Sequence, residues 1–291
     1  MSEYLTTKEL AELLRIKERK VYDLAASGAV PCSKAMGKLL FPRDAVTAWL
    51  SEKSSGPGPR SGVKRPNVFL GSHDPLLDWA LRESGCGLAS YFDGSLDGLD
   101  RFAQGEGVAT GLHLFESETG GWNVAAVRDR FGAAPVVLVE WAWRERGLIV
   151  SPGSEKQTQS VEDLKGRRVV PRQAEAGSQK LLEHLLAESG IRATDLALQP
   201  PVRTEADAAL AVLEDKADAA FGLRALAVQY RLGFVPLTRE RYDLLVERRA
   251  WFEPPFQTFL GFCRSDIFAA KLRETEGYEA AGLGKVHFNG A

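Results

Sequence analysis

Residues 54–66, SSGPGPRSGVKRP, divide the chain. Glycine, proline and serine dominate this run and no apolar period crosses it, so neither a helix nor a strand is expected to bridge it. Extended, it reaches roughly 40 Å at about 3.1 Å per residue. The 291 residues are therefore expected to fold as separate units on either side, residues 1–53 and 67–291, joined by a flexible linker. Arg60, Lys64 and Arg65 lie within that linker. A solvated tether accounts for them, and nonspecific phosphate contacts are the alternative.

Charge divides unevenly at the same boundary. Residues 1–55 hold nine Lys/Arg against seven Asp/Glu, and the remainder holds 28 against 32, giving the net charge of −2. An excess of two does not mark a nucleic-acid surface, so the placement of the charges must carry that argument. The sequence opens MSEYLTTKEL, without a basic segment followed by an apolar run. Its longest apolar stretch, around Pro135 to Trp143, is broken by Glu140 and is too short to span a bilayer. Cys32, Cys86 and Cys263 are widely separated and form neither a metal motif nor a disulfide framework. The expectation is a cytoplasmic protein in a reducing setting, with no metal site and no membrane partner.

In LTTKELAELL, residues 5–14, Thr6 and Glu9 have the spacing of a capping box, and Leu5 is placed as a hydrophobic staple. Leu10, Leu13 and Leu14 are expected on one helical face. After a break at Arg15–Lys17, ERKVYDLAASG predicts a second helix with Val21, Leu24 and Ala25 inward and Gly28 as its left-handed terminator. Two short helices joined by a tight turn make a helix-turn-helix unit. PCSKAMGKLLF then predicts a hairpin with Gly37 at its tip, and Pro42-Arg43-Asp44 opens a third helix, AVTAWLSEK.

The series T-x-x-E-L-A-x-x-L, V-Y-x-L-A-x-x-G and F-x-x-x-x-V-x-x-W-L resembles the excisionase-like, MerR-type winged helix-turn-helix family. The resemblance implies DNA binding. Lys17, Arg19, Lys20 and Tyr22 would enter the major groove or grip phosphates, and Lys34 and Lys38 would touch the backbone from the wing. A homodimer on paired half-sites is expected, because a domain below about 60 residues is marginal alone. A protein-binding domain with a solvated basic face is the alternative.

From Asn67, short strands alternate with helices, as in an α/β domain. Asn67–Leu70 leads into Gly71-Ser72-His73-Asp74-Pro75 and a helix; Leu88–Phe92 leads into Asp93-Gly94-Ser95 and a helix; Val108–Leu114 contains Gly111-Leu112-His113. Ligands in such sheets bind beyond the carboxyl ends of strands, where helix N-termini attract anions. Pro135–Glu140 and Gly147–Pro152 read as two strands separated by an RERG turn. Ala176-Gly177-Ser178 starts a later helix, a further strand ends at Gly222-Leu223-Arg224, and Phe234–Val246 returns toward the first lobe. The expected fold is a two-lobed α/β type-II periplasmic-binding-protein-like domain. Lobe 1 would be about 67–150 and 242–291, and lobe 2 about 151–241.

The segments GSHDPLLDWAL, YFDGSLDGLDRFAQGEGVATGLHLFE, VEWAWRERGLIVSPG, ADAAFGLRALA and RERYDLLV resemble, in order, the molybdate-binding, PBP-like domain found fused to MerR-type helix-turn-helix domains. The resemblance implies a sensor holding an oxyanion such as molybdate or tungstate on serine hydroxyls and backbone N–H groups between the lobes, without a cofactor. By position, Ser72 and Ser95 would be the first-lobe serines, and Ala176, Gly177 and Ser178 the second-lobe helix start. Ala206 would mark another helix N-terminus aimed at the ligand, and Arg224 falls where a tyrosine hydroxyl is expected. The family's Gly-Ser-Gly-Thr-Arg run is replaced by Glu175, Ala176, Gly177, Ser178 and Gln179. Burying Glu175 beside an anion would cost several kcal/mol unless Arg172 or Arg224 neutralised it.

His73 and His113 are either structural or ligand donors, and Tyr242 and Asp243 either hinge residues or ligand contacts. Asp74 and Asp93 are expected as helix caps, and Trp141, Trp143 and Trp251 as packing. The function expected is a ligand-responsive transcriptional regulator. One alternative is an enzyme on the two-lobed fold, for which the sequence offers no nucleophile–base pair. The other is an excisionase-like architectural DNA-binding protein without ligand sensing.

Overall fold

A computed structural model describes residues 4–35, 37–53 and 64–291. The chain divides into two compact units, Met1–Lys64 and Arg65–Ala291. Most of the expected linker, including Arg60, lies outside the described residues. Lys64 is exposed, but Arg65 belongs to the large unit instead of to a free tether. Its Nη1 donates to Phe102 O (2.6 Å) and Gly107 O (3.0 Å), and its guanidinium lies 4.4 Å over the Phe102 ring. Among the described residues no helix is long and apolar enough to cross a membrane.

The first unit runs β1 (Tyr4–Leu5), α1 (Thr7–Leu14), α2 (Glu18–Ala26), β2 (Ser33–Ala35), β3 (Lys38–Pro42) and α3 (Arg43–Lys53), with a three-stranded antiparallel sheet in the order β1-β3-β2. The capping box forms: Thr6 Oγ1 accepts from Glu9 N at 3.3 Å while Glu9 Oε2 accepts from Thr6 N at 2.8 Å. Gly28 (φ 68°) and Gly37 (φ 75°) take the left-handed conformations that end α2 and turn the hairpin. Leu5, Leu10, Ala11, Val21, Val30, Phe41 and Val46 make the core. One expectation changes: Leu13 is exposed because α1 turns its 10/11/14 stripe inward, while Leu5, buried with Leu10 in this core, also pairs with Phe41 in the sheet.

The second unit begins with β4 (Val68–Gly71), α4 (Pro75–Glu83), β5 (Ala89–Phe92), α5 (Ser95–Gln104), β6 (Ala109–Leu112), β7 (Phe115–Glu116), β8 (Gly121–Trp122) and α6 (Val124–Phe131). It continues through β9 (Val136–Val150), β10 (Arg168–Val170), α7 (Gly177–Glu188), β11 (Ala197–Leu198), α8 (Glu205–Leu213), β12 (Ala219–Leu223) and α9 (Arg224–Gln229). It closes with β13 (Gly233–Glu247), α10 (Arg248–Trp251), α11 (Pro254–Phe262), α12 (Asp266–Glu274), β14 (Tyr278–Glu279) and β15 (Val286–Asn289). Ten of these strands form one sheet in the order β11-β10-β12-β9-β13-β6-β4-β5, with β14 and β15 on the remaining edge of β9, and β7 and β8 pair as a separate two-stranded sheet.

Each lobe has three short parallel strands, β5-β4-β6 and β11-β10-β12, and the long antiparallel pair β9/β13 crosses from one to the other. The sequence expectation of an RERG turn is corrected here: β9 is one strand of 15 residues. The arginines suggested a turn because charge inside a strand needs a buried partner that sequence alone does not display. Gly147 serves close approach instead of turning, since a Cβ there would lie 2.0 Å from Val235 O. Packing within lobe 1 is equally tight at Gly98, where a Cβ would lie 2.3 Å from Gly71 Cα and 2.4 Å from Thr110 Oγ1. Gly98→Ala is therefore expected to cost roughly 1–3 kcal/mol or more, read as a lowered urea midpoint; an unchanged midpoint would contradict this seating of α5 on β4.

Candidate ligand site between the lobes

Alternation along β9 carries Arg144 and Arg146 to one face, and both are fully buried. They belong to a chain of alternating charge that spans the lobes. Asp74 caps α4 by accepting from Leu77 N (2.7 Å) and also accepts from Trp141 Nε1 (3.1 Å), Tyr278 Oη (2.5 Å) and Arg144 Nη1 (2.8 Å). Arg144 Nη2 donates to Glu240, and Arg146 Nε lies 2.5 Å from the same Glu240 oxygen. Arg146 then grips Glu205 through both terminal nitrogens (2.8 and 3.2 Å), and Arg172 Nη1 lies 3.2 Å from Glu205. Burial opposes ionisation of both glutamates, but the arginines outweigh it: Glu240 is held well below the usual carboxylate range, and Glu205 is lowered to about 2.

His113 sits at the centre of this chain. Its Nδ1 is 2.9 Å from Glu240 Oε2, its Nε2 is 2.8 Å from Ser72 Oγ, and its backbone N donates to Ser95 Oγ at 3.3 Å. Burial, with Arg144 and Arg146 adding to it against the pull of Glu240, lowers the imidazole pKa and keeps the ring neutral. Tyr242 stacks on the ring at 5.7 Å, and its hydroxyl donates to Ser72 O.

The second lobe meets the first here. A Cβ on Gly177 would lie 2.7 Å from His113 O and 3.0 Å from its ring; one on Gly94 would lie 3.5 Å from Glu175 O and 3.9 Å from Ala176 Cα. Gly94 is the N-cap of α5 and Ala176 that of α7, and neither helix start has a side-chain cap. Two helix N-termini with uncapped amides thus face each other from opposite lobes. Ser95, the first residue of α5, and Ser178, the second of α7, are both buried, and Ser178 Oγ has no hydrogen-bond partner.

Of the residues expected from sequence, Ser72, Ser95, His113, Ala176, Gly177 and Ser178 are brought together. Arg224 and Ala206 are not placed as expected, Tyr242 joins the cluster by stacking on His113, and His73 stands outside it. Arg224 pairs with Glu145 (3.0 Å) and Glu276 (3.2 Å) beside a surface pocket of about 420 Å³, so its charge is already committed. Tyr242 is buried with its hydroxyl proton given to Ser72 O. Ala206 lies on α8, whose start is closed by a Thr204–Asp207 capping box. His73 rests on Phe92, 5.6 Å between ring centroids, with Nδ1 buried and without a hydrogen bond, outside the His113 cluster.

Glu175 is exposed, so its carboxylate is not buried between the helix starts. Asp93 does not cap α5; it pairs with Arg203 of the other lobe at 3.3 Å. Arg144, Arg146, Glu205 and Glu240 were missed from sequence. For Arg144, Arg146 and Glu240 the signal was the alternation R-E-R at 144–146 and 239–241, which reads equally well as a turn; Glu205, at the start of α8, carried none. On the first unit, Lys17 is exposed at the N-cap of α2, Arg19, Lys20 and Tyr22 are exposed along α2, and Lys34 and Lys38 on the hairpin.

Residues 79–264, more than half of the chain, match the family described as a PBP superfamily domain. The chain belongs to that family. Residues 4–54 match a helix-turn-helix domain. YvgK, an uncharacterized protein of Bacillus subtilis (strain 168), is 28% identical over 302 residues, covering 97% of this chain and 96% of that protein. Among solved structures, the PBP-like domain is similar to a phosphate ABC transporter substrate-binding protein with bound phosphate from Clostridium perfringens. The TM-score is 0.54 at 10% identity, covering 74% of this chain and 98% of that one. It is also similar to the ancestral amino acid-binding protein AncCDT-1, with a TM-score of 0.50 at 12% identity over 72% of this chain and 93% of that one. At these identities the likeness concerns the fold. A DNA-binding helix-turn-helix unit and a PBP-like ligand-binding domain share this chain.

Removing one partner of the buried chain leaves its carboxylates uncompensated. Arg146→Met is expected to lose about 3–5 kcal/mol of stability, measured by urea unfolding. Because folding depresses the Glu205 pKa, its contribution is present above the usual carboxylate range and fades as pH falls toward about 2. Arg146→Met should flatten that acid slope; an unchanged slope would mean that Glu205 does not depend on Arg146.

Proposed function

We propose that this protein is a ligand-responsive transcriptional regulator whose PBP-like domain closes on a small oxyanion of the molybdate or tungstate type. The meeting of the uncapped starts of α5 and α7 across the interlobe contact, each carrying a buried serine, is the observation that carries this reading. Each such terminus favours an anion by roughly 0.3–1 kcal/mol, rising to about 2 when partly buried. Ser95 Oγ accepts from His113 N and keeps its own proton, and Ser178 Oγ is unpaired, so both hydroxyls are available to donate. The exposed position of Glu175 removes the electrostatic objection raised by its sequence. The phosphate described with the Clostridium perfringens protein is an anion of the same chemical class.

Lobe closure supplies the signal, because a ligand bridging α5 and α7 prefers the closed state by its differential affinity. The first unit would read that state as a MerR-type, excisionase-like winged helix-turn-helix. It would act in the cytoplasm as a homodimer, with α2 in the major groove and the hairpin against the backbone. A hydrolase is the competing reading, since Ser72, His113 and Glu240 line up as hydroxyl, imidazole and carboxylate. Such a relay works by stabilising an imidazolium. Here Arg144 and Arg146 already neutralise Glu240 and oppose a charged ring, which makes His113 a poor base.

Thermal unfolding against molybdate, tungstate, sulfate and phosphate tests the ligand class. Saturation at about 100 times Kd should add roughly 2.7 kcal/mol. Ser178→Ala should leave the ligand-free protein as stable as before, because it removes an unpaired buried hydroxyl, while it and Ser95→Ala weaken the anion's effect. No stabilisation by any of the four would reject the oxyanion. For DNA, Arg19→Ala or Lys20→Ala should weaken binding and reduce the salt slope by about one phosphate contact each. Unchanged affinity in gel-shift titrations would place the DNA surface elsewhere.

A further inference from the structure

We infer that the interlobe site takes up one proton with its anion, and that His113 receives it. The inference rests on the anion reading above and specifies what that site requires of its ligand. Its basis is the direction of the hydrogen bonds in the chain Ser72–His113–Glu240. Arg144 and Arg146 both engage Glu240 and keep it a carboxylate, which can only accept. The His113 Nδ1 that faces it at 2.9 Å must therefore carry a proton. In the neutral ring Nε2 is then an acceptor, and the hydroxyl 2.8 Å away, Ser72 Oγ, must donate to it.

The consequence for an anion is direct. While the ring is neutral, the Ser72 proton is committed and the side turned away from the ring offers lone pairs, which repel an oxyanion. The Ser72 backbone does not compensate, since its N–H is spent on Gly111 O (2.9 Å) and its carbonyl accepts from Tyr242. A proton added to Nε2 reverses the bond: Nε2–H donates to Ser72 Oγ, and the serine O–H turns to the anion. No covalent bond changes other than N–H formation, and the proton comes from solvent. With His113 neutral, Asp74, Glu240 and Glu205 balance Arg144, Arg146 and Arg172, so the added proton brings one positive charge to meet the ligand.

Every charged neighbour explains why the proton arrives only with the anion. Glu240 on β13 favours an imidazolium. Arg144 and Arg146 on β9 and the positive N-terminal ends of α5 and α7 oppose it, and stacked Tyr242 brings no charge. A dianion placed between those helix starts reverses the balance. The site should accordingly discriminate by charge at constant shape, taking tungstate in preference to perrhenate, a tetrahedral oxyanion with one negative charge fewer.

Calorimetric titration of the full chain with molybdate near pH 7, in two buffers of different protonation enthalpy, is the test. The expected result is uptake of close to one proton per anion, with Kd weakening about tenfold for each pH unit raised across the neutral range. In His113→Gln the amide nitrogen faces Glu240, which can only accept, and the amide oxygen faces Ser72, so the Ser72 proton stays committed; this variant should bind molybdate more weakly, with no proton uptake and no pH dependence. Should that variant fail to fold, imidazole NMR of the unaltered protein, which has four histidines, should show the His113 ring passing from one protonated nitrogen to two on molybdate addition. Binding without proton uptake, or perrhenate binding as tightly as tungstate, would overturn the proton coupling and leave the anion site standing. No binding by molybdate, tungstate, sulfate or phosphate would overturn both.

Discussion

Glu240 is the residue on which the interlobe region turns. It lies on the long strand β13, wholly buried, and is the common partner of Arg144, Arg146 and His113. Two arginines can occupy the interior of β9 only because this carboxylate and those of Asp74 and Glu205 answer them. Such an arrangement is a weak source of stability, since apolar residues of similar volume often serve as well or better. What it supplies is orientation. The carboxylate fixes the His113 tautomer, the tautomer fixes the Ser72 hydroxyl, and the arginines tie the crossing strands to α4 on one side and α8 on the other.

Much of the local structure was legible because its causes are local. The Thr6–Glu9 box, the left-handed Gly28 and Gly37, and the strand–loop–helix units carrying Ser72 and Ser95 each declare themselves within a few residues. What stayed hidden depends on partners far along the chain. Arg146 looks like part of a surface turn until Glu205 and Glu240, 59 and 94 positions later, are brought to it. Arg224 looked like a ligand contact by position, yet Glu145 and Glu276 claim it. Glu175 looked like an intruder in the proposed anion site and instead faces solvent, its backbone rather than its carboxylate approaching Gly94. A residue's type shows what it can do, and only packing shows which partner it meets.

The same distinction separates fold from function within the site. The β9/β13 crossing pair and the facing helix starts follow from the two-lobed architecture, which the chain shares with binding proteins at 10–12% identity. The polarity of the site comes from this chain's own residues: two buried serines on uncapped helices, a neutral histidine beside a doubly paired carboxylate, and a neutral sum over the buried ion chain. These are the groups the proposed anion would meet: two helix starts without side-chain caps and a Ser178 hydroxyl without a partner.

The most direct measurement is diffraction at the tungsten absorption edge from crystals of the full chain grown with tungstate. One anomalous peak is predicted between the starts of α5 and α7, within hydrogen-bonding distance of Ser95 and Ser178. A peak beside Arg224 and Arg239 instead, or no peak between the lobes in crystals that contain tungstate, would contradict the assignment of the interlobe contact as an anion site.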